Sequence, residues 1–75
     1  MQLMNIGFDN YINKDRILGI LSPDSAPVKR LIKEAKEKTI LIDASQGRPT
    51  KSVILTDCNR IFLSYLPPES LEGKA

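Results

Sequence analysis

Apolar and polar positions alternate from Leu3 to Phe8: Met4, Ile6 and Phe8 fall on one side, Leu3, Asn5 and Gly7 on the other. A period of two is the signature of a strand. Asp9 and Asn10 interrupt the pattern, and Tyr11 and Ile12 are candidates to resume it before the polar set Asn13-Lys14-Asp15. Arg16 to Leu21 (Arg-Ile-Leu-Gly-Ile-Leu) reads as a second strand. The period then changes. Val28, Leu31, Ile32 and Ala35 recur at spacings of three and four, which places them on one stripe of a helix. Ser22-Pro23-Asp24-Ser25-Ala26-Pro27 is suited to open that helix, with Ser25 as N-cap and Pro27 in the first turn, where a missing N–H costs little. The helix is expected to end near Lys38. Three more strands follow, over Thr39–Asp43, Lys51–Thr56 and Arg60–Tyr65. Asp57-Cys58-Asn59 forms a tight hairpin loop between the last two, with Asn59 suited to a left-handed position. Ser45 to Thr50 forms a longer, exposed loop. Pro67-Pro68-Glu69-Ser70-Leu71 ends the sheet and is placed for a short terminal helix.

The resulting order is ββαβββ: an α+β fold with a mixed five-stranded sheet and one main helix. Ile40-Leu41-Ile42, Val53-Ile54-Leu55 and the pairs Ile17-Leu18 and Ile20-Leu21 are apolar on both faces of their strands. A strand with one wet face would alternate. One helix covers only one face of a sheet, so a partner surface, most simply another copy of the same chain, is expected on the second. Burial of each aliphatic side chain there contributes roughly 1.5–3 kcal/mol.

Composition points the same way. The chain has 75 residues, 41% apolar and 27% charged, in the range of folded proteins rather than disordered tails. A core of this size is marginal for a monomer. Small domains compensate with disulfides, a metal or oligomerisation. One cysteine, Cys58, forms no internal disulfide, and with no histidine a structural zinc site is not expected. The absence of histidine also excludes His-dependent triads and imidazole acid–base chemistry. No apolar stretch approaches the ~18 residues of a membrane span. Met1-Gln2-Leu3-Met4-Asn5 lacks the basic and apolar regions of a signal peptide. A cytoplasmic protein with no membrane association, no cofactor and no small-molecule substrate is therefore expected.

The net charge is only +2, and its distribution is more informative. Between Lys14 and Arg60 there are ten basic and six acidic side chains, whereas residues 61–75 carry Glu69, Glu72 and Lys74. The positive charge thus sits on the folded part. In the loop Gly47-Arg48-Pro49-Thr50-Lys51, Gly47 permits a sharp turn and Pro49 stiffens it, while Arg48 and Lys51 project. Arginine forks onto a phosphate or guanine, lysine supplies a point charge, and Thr50 adds a hydroxyl donor. Hairpin loops are also commonly polar for no other reason than exposure. Arg16 is a second candidate, with an ion pair to Asp15 or to a neighbouring subunit as its alternative role. Arg60, opening a strand after a turn, reads as a solvated cation blunting a sheet edge. Lys29, Arg30, Lys33, Lys36 and Lys38 give the helix a net +3 against Glu34 and Glu37. Such a helix lies along DNA, faces an acidic partner, or is a solvated face with pairs such as Lys33–Glu37.

No enzyme signature emerges. Gly7, Gly19, Gly47 and Gly73 form neither a G-x-G-x-x-G nor a P-loop. Cys58 has no histidine to activate it. Asp43 and Asp57, at strand ends, read as turn formers rather than a catalytic pair. Phe8, Tyr11, Phe62 and Tyr65 show no RNA-recognition spacing and read as core or interface residues. A single full-length helix also argues against helix–turn–helix binding.

Four blocks carry a resemblance: Asn5-Ile6-Gly7-Phe8, Ser22-Pro23-Asp24-Ser25-Ala26-Pro27-Val28-Lys29-Arg30, Leu41-Ile42-Asp43-Ala44 and Gly47-Arg48-Pro49-Thr50-Lys51. In this order and at this length the chain resembles the RemA family, the extracellular matrix regulatory proteins of Gram-positive bacteria. The resemblance spans about Leu3 to Leu71 and implies a single domain over residues 1–75. It implies a small DNA-binding transcriptional regulator, assembled into ring-like or helical homo-oligomers on double-stranded DNA upstream of biofilm matrix operons, and hence a nucleoid-associated place in the cytoplasm. It further implies DNA-binding roles for Arg48 and Lys51 in the basic loop and for Arg16 at the second strand, with Thr50 in support. One departure stands out: the family loop commonly has two adjacent arginines before the threonine, where this chain has Arg48 followed by Pro49. Lys51 likewise stands where arginine is common. A ring repeating a few phosphate contacts per subunit gains avidity that a weakly charged monomer lacks. The alternative is an oligomeric structural module that binds an acidic protein partner.

Overall fold

The computed structural model describes residues 1–72. Its main helix, α1 (Ala26–Glu37), begins where the proline-rich segment predicts. The Ser25 Oγ accepts the Val28 N–H at 3.3 Å, satisfying one orphan donor of the first turn. The helix stops at Lys38 because Thr39 turns left-handed (φ 57°). Thr39 N–H then donates to Lys36 O at 3.2 Å and Ile40 N–H to Ala35 O at 3.0 Å, which is the Schellman arrangement.

Six strands form, not five: β1 (Leu3–Gly7), β2 (Asn10–Asn13), β3 (Ile17–Leu21), β4 (Leu41–Asp43), β5 (Ser52–Thr56) and β6 (Ile61–Ser64). They make two sheets rather than one. β1 and β2 are a separate antiparallel hairpin, and the larger sheet runs β3-β5-β6-β4. In the larger sheet β3–β5 and β5–β6 are antiparallel and β4–β6 is parallel. A second, one-turn helix, α2 (Pro68–Leu71), follows the last strand as expected.

The break between Phe8 and Tyr11 is a two-residue hairpin turn. Phe8 and Asp9 both take positive φ (53° and 65°), the sign pattern of the tight turns that match strand twist. The Asn5 side chain accepts the Gly7 N–H at 2.8 Å, and the Asn10 side chain donates to Gly7 O at 3.0 Å. Phe8 consequently leaves the row set by Met4 and Ile6. Those two are buried, whereas Phe8 sits exposed at the turn.

This hairpin also corrects the expectation of an uncovered sheet face. Val53 and Ile54 are adjacent on β5 and both are fully buried, so both faces of the sheet are covered. On one face Val53, Ile61 and Leu63 pack with Ala35 and the α1 stripe. On the other, Ile54 and Phe62 pack with Met4 and Ile6 of the hairpin and Leu71 of α2. The Ser64 hydroxyl ties the layers by donating to Ile6 O at 2.8 Å. The chain thus supplies its own second layer from residues 3–13 and 67–71. The large apolar residues left outside it are Leu18 (71% exposed) on edge strand β3, Ile42 on edge strand β4, Leu3 and Tyr11 on the outer side of the hairpin, Phe8 at its turn, and Met1.

If α2 is a structural layer rather than a frayed end, Leu71→Ala lowers stability by about 2–5 kcal/mol in urea unfolding, the range for a buried leucine in a core. A loss under about 0.5 kcal/mol would show that the terminal turn covers nothing.

Candidate functional site

The loop between β4 and β5 is built from local polar contacts. Asp43, at the end of β4, accepts the Ser45 N–H at 2.9 Å and the Ser45 hydroxyl, so its carboxylate shapes a turn as expected. Gln46 (φ 50°) and Gly47 (φ 86°) are both left-handed, and the Arg48 N–H closes the turn on Ser45 O at 3.1 Å. An added Cβ at Gly47 would meet nothing within 4 Å, so the glycine serves the backbone angle alone. The turn delivers Arg48 to the surface beside two aromatic rings. Its Cζ lies 5.3 Å from the Tyr65 ring centroid and 5.7 Å from that of Phe8. The rings are 4.9 Å apart and tilted by 44°.

The other residues of the loop have different surroundings. Lys51 is exposed, and its N–H donates to Ser64 O at 2.8 Å, anchoring the start of β5. Thr50 is half-buried and lines a groove that Asp24 and Glu69 also line.

Arg16 lies apart from these. It ends a short 3₁₀ turn over Lys14–Arg16 that the Asn13 side chain caps through the Asp15 N–H at 2.9 Å. Arg16 Nη1 meets Asp57 Oδ2 at 3.0 Å. This ion pair, with Asp57 rather than Asp15, is the only one among the described residues. The backbone fixes the meeting, since the Asp57 N–H donates to Arg16 O at 3.0 Å. Arg16 and Lys51 stand at opposite ends of β5, because Ile17 pairs with Thr56 while Lys51 precedes Ser52. At about 3.4 Å per residue the five steps from Lys51 to Thr56 span roughly 17 Å. The structure therefore brings Arg48, Thr50 and Lys51 into one loop and leaves Arg16 at the far end of the sheet.

Arg60 is exposed beside the β5–β6 turn, where Asn59 is left-handed (φ 61°). Thr56 Oγ1 closes this turn by donating to Arg60 O at 2.7 Å. β6 is an internal strand, so Arg60 blunts no sheet edge, contrary to expectation. The basic side chains of α1 are all exposed, and Lys33 and Glu37 form no ion pair. Among the described residues, no three of Asp, Glu and Cys come together as a metal-binding group.

The residues that sequence reasoning left out of the site are Phe8 and Tyr65. One signal for Phe8 was available: Gly7-Phe8-Asp9-Asn10 is a turn, and an aromatic in a turn is turned out of the strand's buried row. Nothing local announced the meeting of Phe8, Tyr65 and Arg48, which come from three separate segments.

Fold and site together define a small α+β domain that displays cations on its loops and main helix. Residues 3–74 match the family described as extracellular matrix regulatory protein A-like, and the chain belongs to this RemA-like family. It is 51% identical over 71 residues to a "Putative regulatory protein" of Alkaliphilus oremlandii, covering 95% of this chain and 76% of the relative. A protein of the same name from Trichormus variabilis is 46% identical over 74 residues, covering 99% and 84%. One from Brevibacillus brevis is 48% identical over 71 residues, covering 95% and 83%. These names point to a regulatory protein rather than an enzyme. No helix among the described residues is long and apolar enough to cross a membrane.

The Arg16–Asp57 pair is exposed, with side chains 60% and 38% accessible, and exposed pairs contribute little. Asp57→Ala is expected to change the unfolding free energy by less than about 1 kcal/mol. A larger loss in thermal or urea unfolding would make the pair structural and remove Arg16 from the cations available to a partner.

Proposed function

We propose that this protein is a DNA-binding transcriptional regulator, acting as a homo-oligomeric ring on upstream regulatory DNA and activating biofilm matrix genes. The observation that carries the DNA contact is Arg48: exposed on a hydrogen-bonded turn, within about 6 Å of two ring centroids, and paired with no carboxylate among the described residues. Its guanidinium keeps its in-plane N–H donors for a phosphate or base edge. Lys51 adds a point charge three residues on. Thr50, half-buried in a groove that two acidic residues also line, is the weakest of the four proposed contacts. Arg16 is a second anchor once it exchanges Asp57 for phosphate. Its separation of roughly 17 Å from Lys51 spans about five base-pair steps at 3.4 Å each.

Self-association is supported by the apolar residues outside the two packed layers. Leu18 is 71% exposed on one edge of the four-stranded sheet, and Ile42 lies on the other edge. An assembly joined edge to edge would bury both and repeat the loop cations along one surface. The family's description as an extracellular matrix regulatory protein supports the choice of genes. A cytoplasmic, nucleoid-associated protein follows from this role. The competing reading, a module that binds an acidic protein, draws on the unpaired basic face of α1.

Fluorescence anisotropy with a labelled duplex separates the two. Arg48→Ala is expected to weaken DNA binding by roughly 10-fold per contact, the scale of a charge-assisted hydrogen bond, with no change in oligomer size by light scattering. Binding equal to wild type would remove Arg48 from the interface. If mutation of Lys29 and Lys33 abolished binding instead, the contact surface would be the helix.

A further inference from the structure

An arginine on an exposed turn ordinarily samples many rotamers, and holding it still on a partner opposes binding through lost side-chain entropy. Arg48 is not in that situation. Two rings from distant parts of the chain flank its guanidinium, both within the ~6 Å over which a cation is attracted to a ring face. The geometry points to Phe8 and Tyr65 as positioning residues for Arg48: their attraction for its cation narrows the rotamers it samples, so that its N–H donors are pre-aimed at duplex DNA. This inference rests on the DNA-binding reading of the loop.

Three independent features place the rings there. First, Gly7 makes room for Tyr65. A Cβ at Gly7 would lie 2.6 Å from Tyr65 Cε1, closer than two carbons approach, and Gly7 also has φ 112°. Second, Phe8 occupies a left-handed turn position (φ 53°) that Asn, Asp or Gly fills with less strain. Third, Phe8 remains 39% exposed, so core burial does not account for a large aromatic at that point. What the ring does meet is Tyr65 and the Arg48 guanidinium. A cation–π contact acts through charge and needs none of the five guanidinium N–H donors as hydrogen bonds, so positioning and DNA contact are compatible.

The test is a double-mutant cycle on the full chain, read by anisotropy with one short duplex. Phe8→Asn removes the ring and retains a residue at ease in the left-handed turn, so the hairpin survives; a thermal melt checks this. Phe8→Asn is expected to weaken binding about two- to fivefold, the scale of an exposed cation–π contact. It should leave the salt slope unchanged, since no charge is removed, whereas Arg48→Ala should flatten that slope. In the Arg48→Ala background Phe8→Asn should have no further effect, and Phe8→Tyr should retain wild-type affinity. If Arg48→Ala weakens binding but Phe8→Asn does not, the positioning role is overturned while the DNA reading stands. An equal loss from Phe8→Asn with and without Arg48 also overturns it, because Phe8 would then act independently. If Arg48→Ala itself has no effect, the DNA reading of the loop fails, and this inference with it.

Discussion

Val53 and Ile54 sit side by side on β5, and neither retains any contact with solvent. Because adjacent strand residues point to opposite faces, a strand of this kind has to be covered twice. A chain of 75 residues with one full-length helix has little material for the second layer. The layer is assembled from two chain ends: the β1–β2 hairpin contributes Met4 and Ile6, and the short helix α2 contributes Leu71. The rest of the architecture follows from this demand. The N-terminal strand has to leave the main sheet, turn back within two residues and lie across β6, where Ser64 holds it through Ile6 O.

The candidate site is a consequence of the same closure. Laying the hairpin over the sheet brings Gly7 against the Tyr65 ring and Phe8 beyond it. The β4–β5 turn, shaped by Asp43 and by left-handed Gln46 and Gly47, raises Arg48 onto these two rings. A surface arginine is thereby coupled to the packing of the core's second layer. Arg16 is held by different means, through Asp57 at the opposite end of β5, so Arg16 and Arg48 stand as two separate points rather than in one patch.

Features set by neighbouring residues were legible in the sequence. The Ser25 cap, the stripe from Val28 to Ala35 and the left-handed Asn59 are such cases, each decided within a few residues. The two-faced burial of β5 was legible as well, from its unbroken apolar run. The material covering the second face was not, because Phe8-Asp9 lacks the Asn-Gly or Asp-Gly chemistry that announces a tight hairpin. Without that signal, the apolar pattern places β1 in the main sheet and leaves the second layer to a partner copy. Arg16 and Asp57 are 41 positions apart in the chain, and the Phe8–Tyr65–Arg48 group joins three segments. Contacts of this range are set by topology and leave no periodic trace. The basic loop was legible from its own residues, the family resemblance attaches DNA-binding roles to Arg48 and Lys51 as an expectation, and the structure adds the aromatic surroundings of Arg48.

On the proposed function, a weakly charged chain becomes a DNA binder by repeating a few cationic contacts across its copies. The most direct measurement is a salt titration of duplex binding, by fluorescence anisotropy, on one long and one short fragment. Multivalent phosphate contact predicts saturable binding, a steep fall in affinity with salt and a strong preference for the long fragment. No binding to either length at physiological salt would contradict the account and favour an acidic protein as the partner.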